Sequence, residues 1–547
     1  MNKILKINNS DNVITALADL KKGEEVEWKG NIFLLKENIA AKHKFFEKHL
    51  SAGEDIIMYG VLVGKTQFPV SAGCLMTTEN VKHAAQPYAY RKINYQWHSP
   101  DVSKFKKKTF NGYKRNDGNV GTANYWLFIP TVFCENRNLD VIREAMHNAL
   151  GYTVTDKYKS FTNELVNAFK FGENLDNLNL HSNESETKGT KRLFKNIDGI
   201  KFLNHAGGCG GTRQDAATLS KLLAAYANHP NVGGITILSL GCQHLQVQQL
   251  IDDIKKHTSG FAKPLLVFEQ QLSQSEEQLI ADAIKETFKG LIELNKIERQ
   301  AVSLDKLCIG VKCGGSDGFS GISANPAVGY TADLVTALGG KILLAEFPEL
   351  CGVEQNIIDR CSNEETANKF IRLMQQYDAQ AHAVGSGFYM NPSPGNIKDG
   401  LITDAIKSAG AAKKGGTSPV MDVLDYTEPA TKPGLSMVCT PGNDVEATTG
   451  KAAAGATLIL FTTGLGTPTG NPVCPTIKLA TNSKLARHMS DIIDINCGTV
   501  IEGKKTIEAM GEEILDYCIK AASGEIIPKA VQLNQDDFIP WKRGVSL

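Results

Sequence analysis

The chain has 547 residues, a length that exceeds what one hydrophobic core normally serves, so we expect two to four domains. The 59 lysine and arginine residues equal the 59 aspartate and glutamate residues in number, so no net charge would gather nucleic acid or an anionic membrane. These values favour a small-molecule partner.

The first 95 residues predict a small all-β domain. Short β-like runs at residues 25–28, 31–35 and 56–59 are separated by glycines at turn positions. The following stretch, residues 96–110, is polar, basic and aromatic and has neither a strand nor a helix period. We interpret it as a linker.

From residue 111 onward, apolar β-branched runs alternate with helix-like segments. This alternation is typical of doubly wound α/β domains with largely parallel sheets. We place a second α/β domain at residues 111–300 and a C-terminal α/β domain at residues 301–547. Strands are predicted at 200–203, 234–240, 307–313, 341–345 and 456–461, and helices at 245–257 and 327–338. Because ligands bind at the carboxyl ends of parallel strands, we expect the loops there to share one crevice.

Four cysteines stand in loops that follow predicted strands, namely Cys134, Cys209, Cys242 and Cys313. Thiolates in such turns can converge on a soft or borderline metal. A free cysteine is also a small, commonly buried hydrophobe, so the prediction depends on the context that the four share. There is no CxxC or HExxH spacing, and a metal site would have to be assembled from distant segments.

Two histidines and one loop are candidates for acid–base chemistry. His43 lies in the β domain, where a lone surface histidine is the commoner interpretation, and His205 stands between a predicted strand and the Cys209 loop. Ser316 and Asp317 follow Cys313 in a glycine-rich loop that suits a carboxylate ligand, although turn and N-cap chemistry would explain them equally.

Several classes of function and location are not favoured. Residues 60–66 are one residue short of a phosphate-binding loop, and residues 464–470 are one too long for a dinucleotide fingerprint. The longest apolar stretches fall short of the roughly 20 residues that cross a bilayer. Residues 1–10 lack a signal-peptide core, and the 12 widely spaced cysteines suit a reducing compartment, so we expect a cytoplasmic protein.

Four segments together resemble the altronate/galactarate dehydratase family: residues 113–118 (YKRNDG), 313–326 (CGGSDGFSGISANP), 391–396 (NPSPGN) and 461–464 (FTTG). The first 95 residues are also similar to the family's β-clip SAF domain, so the resemblance covers nearly the whole chain. It implies a SAF domain followed by α/β domains. It further implies a hydro-lyase that removes water from a sugar acid, D-altronate first, to give 2-dehydro-3-deoxy-D-gluconate.

The resemblance also implies a divalent metal. Iron(II) is favoured, with manganese(II) or an iron–sulfur cluster on an open iron as alternatives. The predicted metal ligands are Cys209, Cys242, Cys313, Cys134 and Glu79, the last at a position where the family often has a histidine. The predicted catalytic residues are His43, His205, Asp317 and Glu349. The predicted substrate-binding residues are Arg115, Asp117, Asn124, Ser316, Ser320, Asn325 and Lys478.

The chain departs from the family pattern at three positions. Ala123 and Leu465 stand where arginines are frequent, and Gln243 stands where glutamate is. Losing two guanidinium groups would weaken recognition of a carboxylate, with Arg115 and Lys478 as replacements. The alternatives left open are a galactarate dehydratase, a sulfolactate sulfo-lyase-like enzyme and a non-catalytic sugar-acid sensor. A homo-oligomer is also left open.

Overall fold

The computed structural model describes residues 3–153, 157–180, 192–258 and 260–544. Its first domain consists of short antiparallel strands, which form the sheets β1-β2-β5 and β6-β7-β8 and the hairpin β3-β4. These strands are β1 Ile4–Leu5, β2 Val13–Ala16, β3 Glu25–Trp28, β4 Asn31–Leu34, β5 Lys44–Phe46, β6 Asp55–Met58, β7 Val61–Thr66 and β8 Val81–Lys82. The all-β prediction for this part of the chain is confirmed.

Residues 83–108 contain no helix or strand, and they lie along the C-terminal domain. Arg91 Nε donates to Asp359 Oδ1 at 2.9 Å. Further along, Tyr95 and Trp97 donate to the backbone and side chain of Thr417, at 2.6 and 3.2 Å. This docked segment carries the chain from the first domain to the second.

The second domain contains a parallel sheet of order β12-β11-β13-β14, covered by helices. A separate antiparallel sheet of order β10-β9-β15 pairs strands from the two ends of the domain. The elements are β9 Thr109–Lys114, β10 Val120–Gly121, β11 Tyr125–Pro130, α1 Asn136–Leu150, α2 Lys157–Phe171, β12 Gly199–Phe202, α3 Arg213–Asn228, β13 Val232–Ser239, α4 Val247–His257, β14 Leu265–Glu269, α5 Glu276–Leu294 and β15 Gln300–Ser303.

Trp126 explains two of the glycines in this domain. The indole is fully buried on β11 and donates to Thr236 Oγ1 at 2.9 Å. A Cβ atom would lie 2.3 Å from the indole at Gly234 and 2.1 Å from it at Gly290. Glycine at both positions therefore lets β13 and α5 close on the ring, since protein cores are densely packed.

The C-terminal domain has a seven-stranded parallel sheet of order β18-β19-β17-β16-β20-β21-β22. Its strands are β16 Cys308–Cys313, β17 Lys341–Ala345, β18 Val420–Leu424, β19 Gly434–Val438, β20 Leu458–Thr463, β21 Thr476–Ala480 and β22 Ile495–Asn496. Its helices are α6 Ala324–Ala337, α7 Glu354–Asp359, α8 Glu364–Ala383, α9 Pro394–Lys398, α10 Asp404–Ala412, α11 Asp444–Ala453, α12 Ser483–His488, α13 Gly498–Ile501, α14 Ile507–Ala522 and α15 Lys529–Gln532.

The fold class predicted from the sequence is confirmed, but the strands that we expected to border one crevice belong to two sheets. Strand β13 belongs to the four-stranded sheet, whereas β16, β17 and β20 belong to the seven-stranded one. Periodicity shows that a strand is buried and parallel, but it does not show which strands pair. Among the described residues, no helix is both long and apolar enough to span a membrane.

Candidate active site

Three potential ligand atoms meet at the carboxyl edge of the seven-stranded sheet. Cys313 is the last residue of β16, Glu346 directly follows the neighbouring β17, and Glu349 lies in the 3-10 turn Phe347–Leu350. The sulfur and one carboxylate oxygen from each glutamate lie within 4.8 Å of one another, and all three side chains are buried. Charged groups at this depth need partners.

Lysines supply those partners. Lys407, in α10, lies 2.9 Å from Glu349 Oε1. Glu349 Oε2 accepts from Cys313 Sγ at 3.7 Å, and Lys414 donates to the same sulfur at 2.7 Å. Lys414 Nζ also lies 3.6 Å from Glu346 Oε2. Acids, thiol and ammonium groups therefore alternate through the protein interior.

The alternation continues at both ends. Beyond Glu346, the fully buried Lys312 pairs with that carboxylate and lies 2.8 Å from Asp444 Oδ1. Lys451, in α11, is 4.0 Å from Glu346 Oε2. Beyond Lys407, Asn391 accepts from the amine at 3.0 Å and donates to Asp404 Oδ1 at 3.1 Å. We call the whole set the lysine–acid cluster; its members are Lys312, Cys313, Glu346, Glu349, Asn391, Asp404, Lys407, Lys414, Asp444 and Lys451.

The backbone of Glu346 is strained. Its φ and ψ of 74° and 66° place a non-glycine residue in the left-handed region. Such a conformation costs about 1–3 kcal/mol and persists where surrounding contacts enforce it, commonly at functional sites. Here the Glu346 amide donates to Thr440 Oγ1 at 3.1 Å, which holds the carboxylate between the lysines.

Burial and neighbouring charges divide the cluster into groups with different protonation. Burial raises the pKa of Glu349, but Lys407, Lys312 and Lys414 outweigh that effect and hold it below its usual value. Burial, together with the positive charges of Lys312 and Lys414, lowers the pKa of Lys451 well below its usual value. Burial also raises the pKa of Asp404 to about 8. The lowered pKa of Lys451 favours its uncharged amine, and a pKa of about 8 favours the protonated form of Asp404 at neutral pH.

Three buried polar atoms of the cluster have no hydrogen-bond partner among the described residues: Glu346 Oε2, Asp404 Oδ2 and Lys451 Nζ. Buried polar atoms are nearly always paired, and unpaired ones call for an explanation. Their concentration in one cluster indicates that a ligand completes it. Asp444, whose side chain is 29% exposed, marks the side that faces solvent.

The predicted residues of the loop after β16 lie beside this cluster and are held in place. Asp317 Oδ1 accepts from Ser320 Oγ at 3.0 Å, and Lys42 of the first domain lies 3.2 Å from Asp317 Oδ2. The Ser316 carbonyl accepts from Asn396 at 2.9 Å, and Asn325 donates to the Gly410 carbonyl at 3.0 Å. These bonds shape the loop and dock the first domain on it.

Three other predicted residues are distributed around the C-terminal and first domains. His43 Nε2 lies 3.0 Å from the Lys398 carbonyl where the two domains meet, and burial lowers its pKa. Lys478, in β21, donates to the Thr467 carbonyl at 2.7 Å, and burial lowers its pKa to about 8. Glu79 is exposed in a turn of the first domain and does not belong to the lysine–acid cluster.

Arg115, Asp117 and Asn124 precede β11 and lie at the amino edge of the four-stranded sheet, opposite its carboxyl-edge loops. Arg115 donates to the Pro230 carbonyl at 2.7 Å and to Asn124 Oδ1 at 3.0 Å. Burial lowers its pKa to about 10. Ala123 is buried at the same edge.

The remaining predicted ligands belong to the second domain. Cys134, Cys209 and Cys242 follow β11, β12 and β13, and all three are exposed, whereas Cys313 is buried in the C-terminal domain. His205 is buried next to them; its Nε2 lies 2.9 Å from the Pro130 carbonyl, and its Nδ1 accepts from the Gly207 amide at 3.0 Å. The four predicted cysteines therefore follow strands of two different sheets.

Sequence reasoning missed most of the lysine–acid cluster. Lys312 carried a usable signal, because a lysine inside an apolar parallel strand must be paired or shifted. Lys414 and Lys451 lie in alanine- and glycine-rich segments. The small neighbouring side chains offer a lysine no local partner, so each lysine was a candidate for a long-range ion pair. Asp404 and Lys407, one helical turn apart in α10, carried no such signal.

A parallel α/β sheet with buried acids and lysines gathered at its carboxyl edge is typical of an enzyme active site. Three family models match the chain, and all three describe domains of altronate/galactarate dehydratases. The altronate/galactarate dehydratase SAF domain matches residues 2–84, the D-galactarate dehydratase/altronate hydrolase second domain matches residues 112–295, and the D-galactarate/altronate dehydratase C-terminal domain matches residues 304–546.

Curated relatives match over the full length. Altronate dehydratase of Bacillus subtilis (strain 168) is 31% identical, with 100% of both chains covered. Altronate dehydratase of Escherichia coli (strain K12) is 32% identical, with 99% of both chains covered. Galactarate dehydratase (L-threo-forming) of E. coli (strain K12) is 28% identical over 95% of this chain and 93% of its own length. The chain belongs to the altronate/galactarate dehydratase family, and the prediction of a hydro-lyase is confirmed.

Proposed function

We propose that this enzyme converts D-altronate to 2-dehydro-3-deoxy-D-gluconate and water at the lysine–acid cluster. The observation that carries the proposal is that three buried atoms of the cluster, on Glu346, Asp404 and Lys451, have no hydrogen-bond partner among the described residues. Full-length similarity to two proteins named altronate dehydratase supports D-altronate over galactarate, for which the similarity is lower.

The chemistry requires a cation, a base and an acid. The cluster's lysines bind the substrate carboxylate and stabilise the negative charge that develops on it when the C2 proton leaves. The amine of Lys451, whose lowered pKa favours the uncharged form, accepts that proton. Asp404, protonated at neutral pH, gives its proton to the C3 hydroxyl as the C3–O bond breaks, so water leaves and the resulting enol becomes the 2-keto acid.

A divalent metal, which the family resemblance implied, would act as a Lewis acid on the carboxylate and the hydroxyl. Cys313, Glu346 and Glu349 are close enough to be its ligands. Each of them, however, already contacts an ammonium group, on Lys414, on Lys312 and on Lys407 respectively. A dication would add two positive charges to a buried group rich in lysine, so this donor set does not fit it, and the proton transfers above use side chains alone.

The test is a keto-acid assay on a panel of aldonates and aldarates, run with Glu346→Gln beside the wild type. We expect D-altronate to give the highest kcat/KM and the variant to lose activity on every acid. A preference for galactarate would change the assigned substrate. Sulfite release from sulfolactate without keto-acid formation from any sugar acid, or tight binding without turnover, would overturn the proposal.

A further inference from the structure

Three of the 12 cysteines are exposed, and all three lie at the carboxyl edge of the four-stranded sheet. Cys134 follows β11 within the 3-10 turn Phe133–Glu135, Cys209 follows β12, and Cys242 follows β13. Because β12, β11 and β13 are adjacent and parallel, the three loops are neighbours. Free cysteine is among the most buried residue types, so three exposed thiols on three adjoining loops are unexpected for packing alone.

The loops are bonded to one another through the Cys209 loop. The Phe133 amide donates to the Gly207 carbonyl at 3.1 Å. From the other side, the His244 and Leu245 amides donate to the Gly208 carbonyl at 3.0 and 3.2 Å. The two residues that precede Cys209 therefore bind the loop of Cys134 and the loop of Cys242.

Gly208 allows this close approach. Its φ is +97°, and a Cβ atom would lie 2.1 Å from the Thr131 carbonyl oxygen. Any other residue would push the Cys209 loop away from the end of β11. The neighbouring Glu135 is fully buried, and its Oε1 has no hydrogen-bond partner among the described residues. Within the described part of the chain, a buried carboxylate oxygen at this edge of the sheet therefore lacks a hydrogen-bond donor, which a bound ligand would supply.

We propose that Cys134, Cys209 and Cys242 hold an iron–sulfur cluster of the [4Fe–4S] type through three thiolates. A single tetrahedral ion with metal–sulfur bonds of about 2.3 Å would place its sulfurs roughly 4 Å apart. The three sulfurs here do not all lie within 4.8 Å of one another, since the one such group among the described residues is Cys313 with Glu346 and Glu349. A cubane cluster spaces its thiolates more widely, because each of them binds a different iron.

One of the three thiols, that of Cys209, borders a cavity that can hold a further ligand. A cavity of about 230 Å³ opens beside Cys209 and is lined by His205, Tyr426, Phe538 and Trp541. Three thiolates leave one iron of the cluster without a protein ligand. The site lies in a different sheet from the lysine–acid cluster, so the inference goes beyond the proposed function and does not depend on it.

The experiment is the anaerobic purification of the full chain, followed by incubation with ferrous iron and sulfide and removal of unbound reagents. We expect about four iron and about four acid-labile sulfide per chain, with the broad visible absorption of a [4Fe–4S] cluster. Cys134→Ser, Cys209→Ser and Cys242→Ser should each lose the absorption and most of the iron and sulfide. Alanine variants at the same three positions serve as a second set, because a serine hydroxyl could still bind iron and an alanine side chain could not.

Two further variants serve as controls. Cys313→Ser, in the other sheet, and Cys361→Ser, whose half-buried thiol donates to the Ile357 carbonyl at 3.4 Å, should keep the cluster. Bound iron without sulfide, bound zinc alone, no bound metal, or loss of the cluster in Cys313→Ser would overturn the inference. A cluster in a chain that dehydrates none of the acids would leave this inference standing and overturn only the proposed function.

Discussion

The Lys407 amine lies 2.9 Å from Glu349 Oε1 and also donates to Asn391 Oδ1 at 3.0 Å. Both members of the ion pair are largely buried, the lysine side chain being 9% and the glutamate 5% exposed. A buried pair of this kind is costly to break from one side, because the remaining charge keeps its desolvation penalty. The pair links α10 to the turn after β17.

Lys407→Met should therefore destabilise the protein by about 3–5 kcal/mol and abolish keto-acid formation. The matched control is Lys432→Met, whose half-exposed amine lies 3.3 Å from Asp422, a pair worth about 1 kcal/mol or less. Thermal unfolding and the keto-acid assay measure both variants. Equal unfolding temperatures for the two would contradict the assignment of Lys407 to a buried pair.

Lys451→Met keeps the length and apolar character of the side chain and removes the base. Because burial and the neighbouring lysines lower the pKa of this amine and disfavour its charged form, the substitution should cost little stability while lowering kcat by about 10²–10⁴-fold. Exchange of the substrate's C2 proton with deuterated solvent should stop in the variant. Wild-type exchange rates in Lys451→Met would assign the base to another residue.

Asp404→Asn should change how stability depends on pH. The pKa of Asp404 is about 8 in the folded protein against an ordinary value of 3.8, so the folded state retains a proton that the unfolded state releases between these values. Wild-type stability from this group therefore falls as pH rises from about 4 to about 8. The amide does not titrate, so the unfolding temperature of the variant should rise relative to that of the wild type as pH increases across this range. A difference in unfolding temperature that stays constant with pH would contradict the raised pKa of Asp404.

The same group controls activity at high pH. Wild-type kcat should fall above about pH 8, because ionised Asp404 has no proton to give to the leaving hydroxyl. In Asp404→Asn the residual activity should lack this decline. A pH–rate profile of the two proteins from pH 6 to pH 10, in steps of about half a unit, measures the effect.

His205 should contribute to stability and not to proton transfer, because both ring nitrogens are engaged by the backbone. Burial lowers its pKa to about 4 from an ordinary 6.5. As pH falls from about 6.5 to about 4, the unfolded state gains a proton that the folded state does not, and the stability due to the neutral ring is lost. The difference in unfolding temperature between wild type and His205→Asn should shrink over that interval. A difference that grows on acidification would contradict this.

The sequence predicts the local elements of the C-terminal domain well and its site only in part. The strand at residues 341–345 is found with the predicted bounds, and Cys313 and Glu349 lie at the predicted edge, because alternation and loop position are local properties. Lys414 contacts Cys313 from 101 residues away, and pairing over that distance leaves no local pattern. Likewise, the separation of Cys242 from Cys313 follows from which strands hydrogen-bond, which periodicity does not encode.

The contact between Lys42 and Asp317 ties the first domain to the loop that follows β16. The same lysine lies 3.3 Å from Asp399, and the neighbouring Lys44 donates to the Gly400 carbonyl at 2.6 Å. Removing the first domain would leave Asp317 facing solvent without its ammonium group and would free the loop that borders the lysine–acid cluster. The β domain and the large sheet are thus joined by these contacts, and a chimera that exchanges either domain between relatives would have to keep the residues on both sides of the interface.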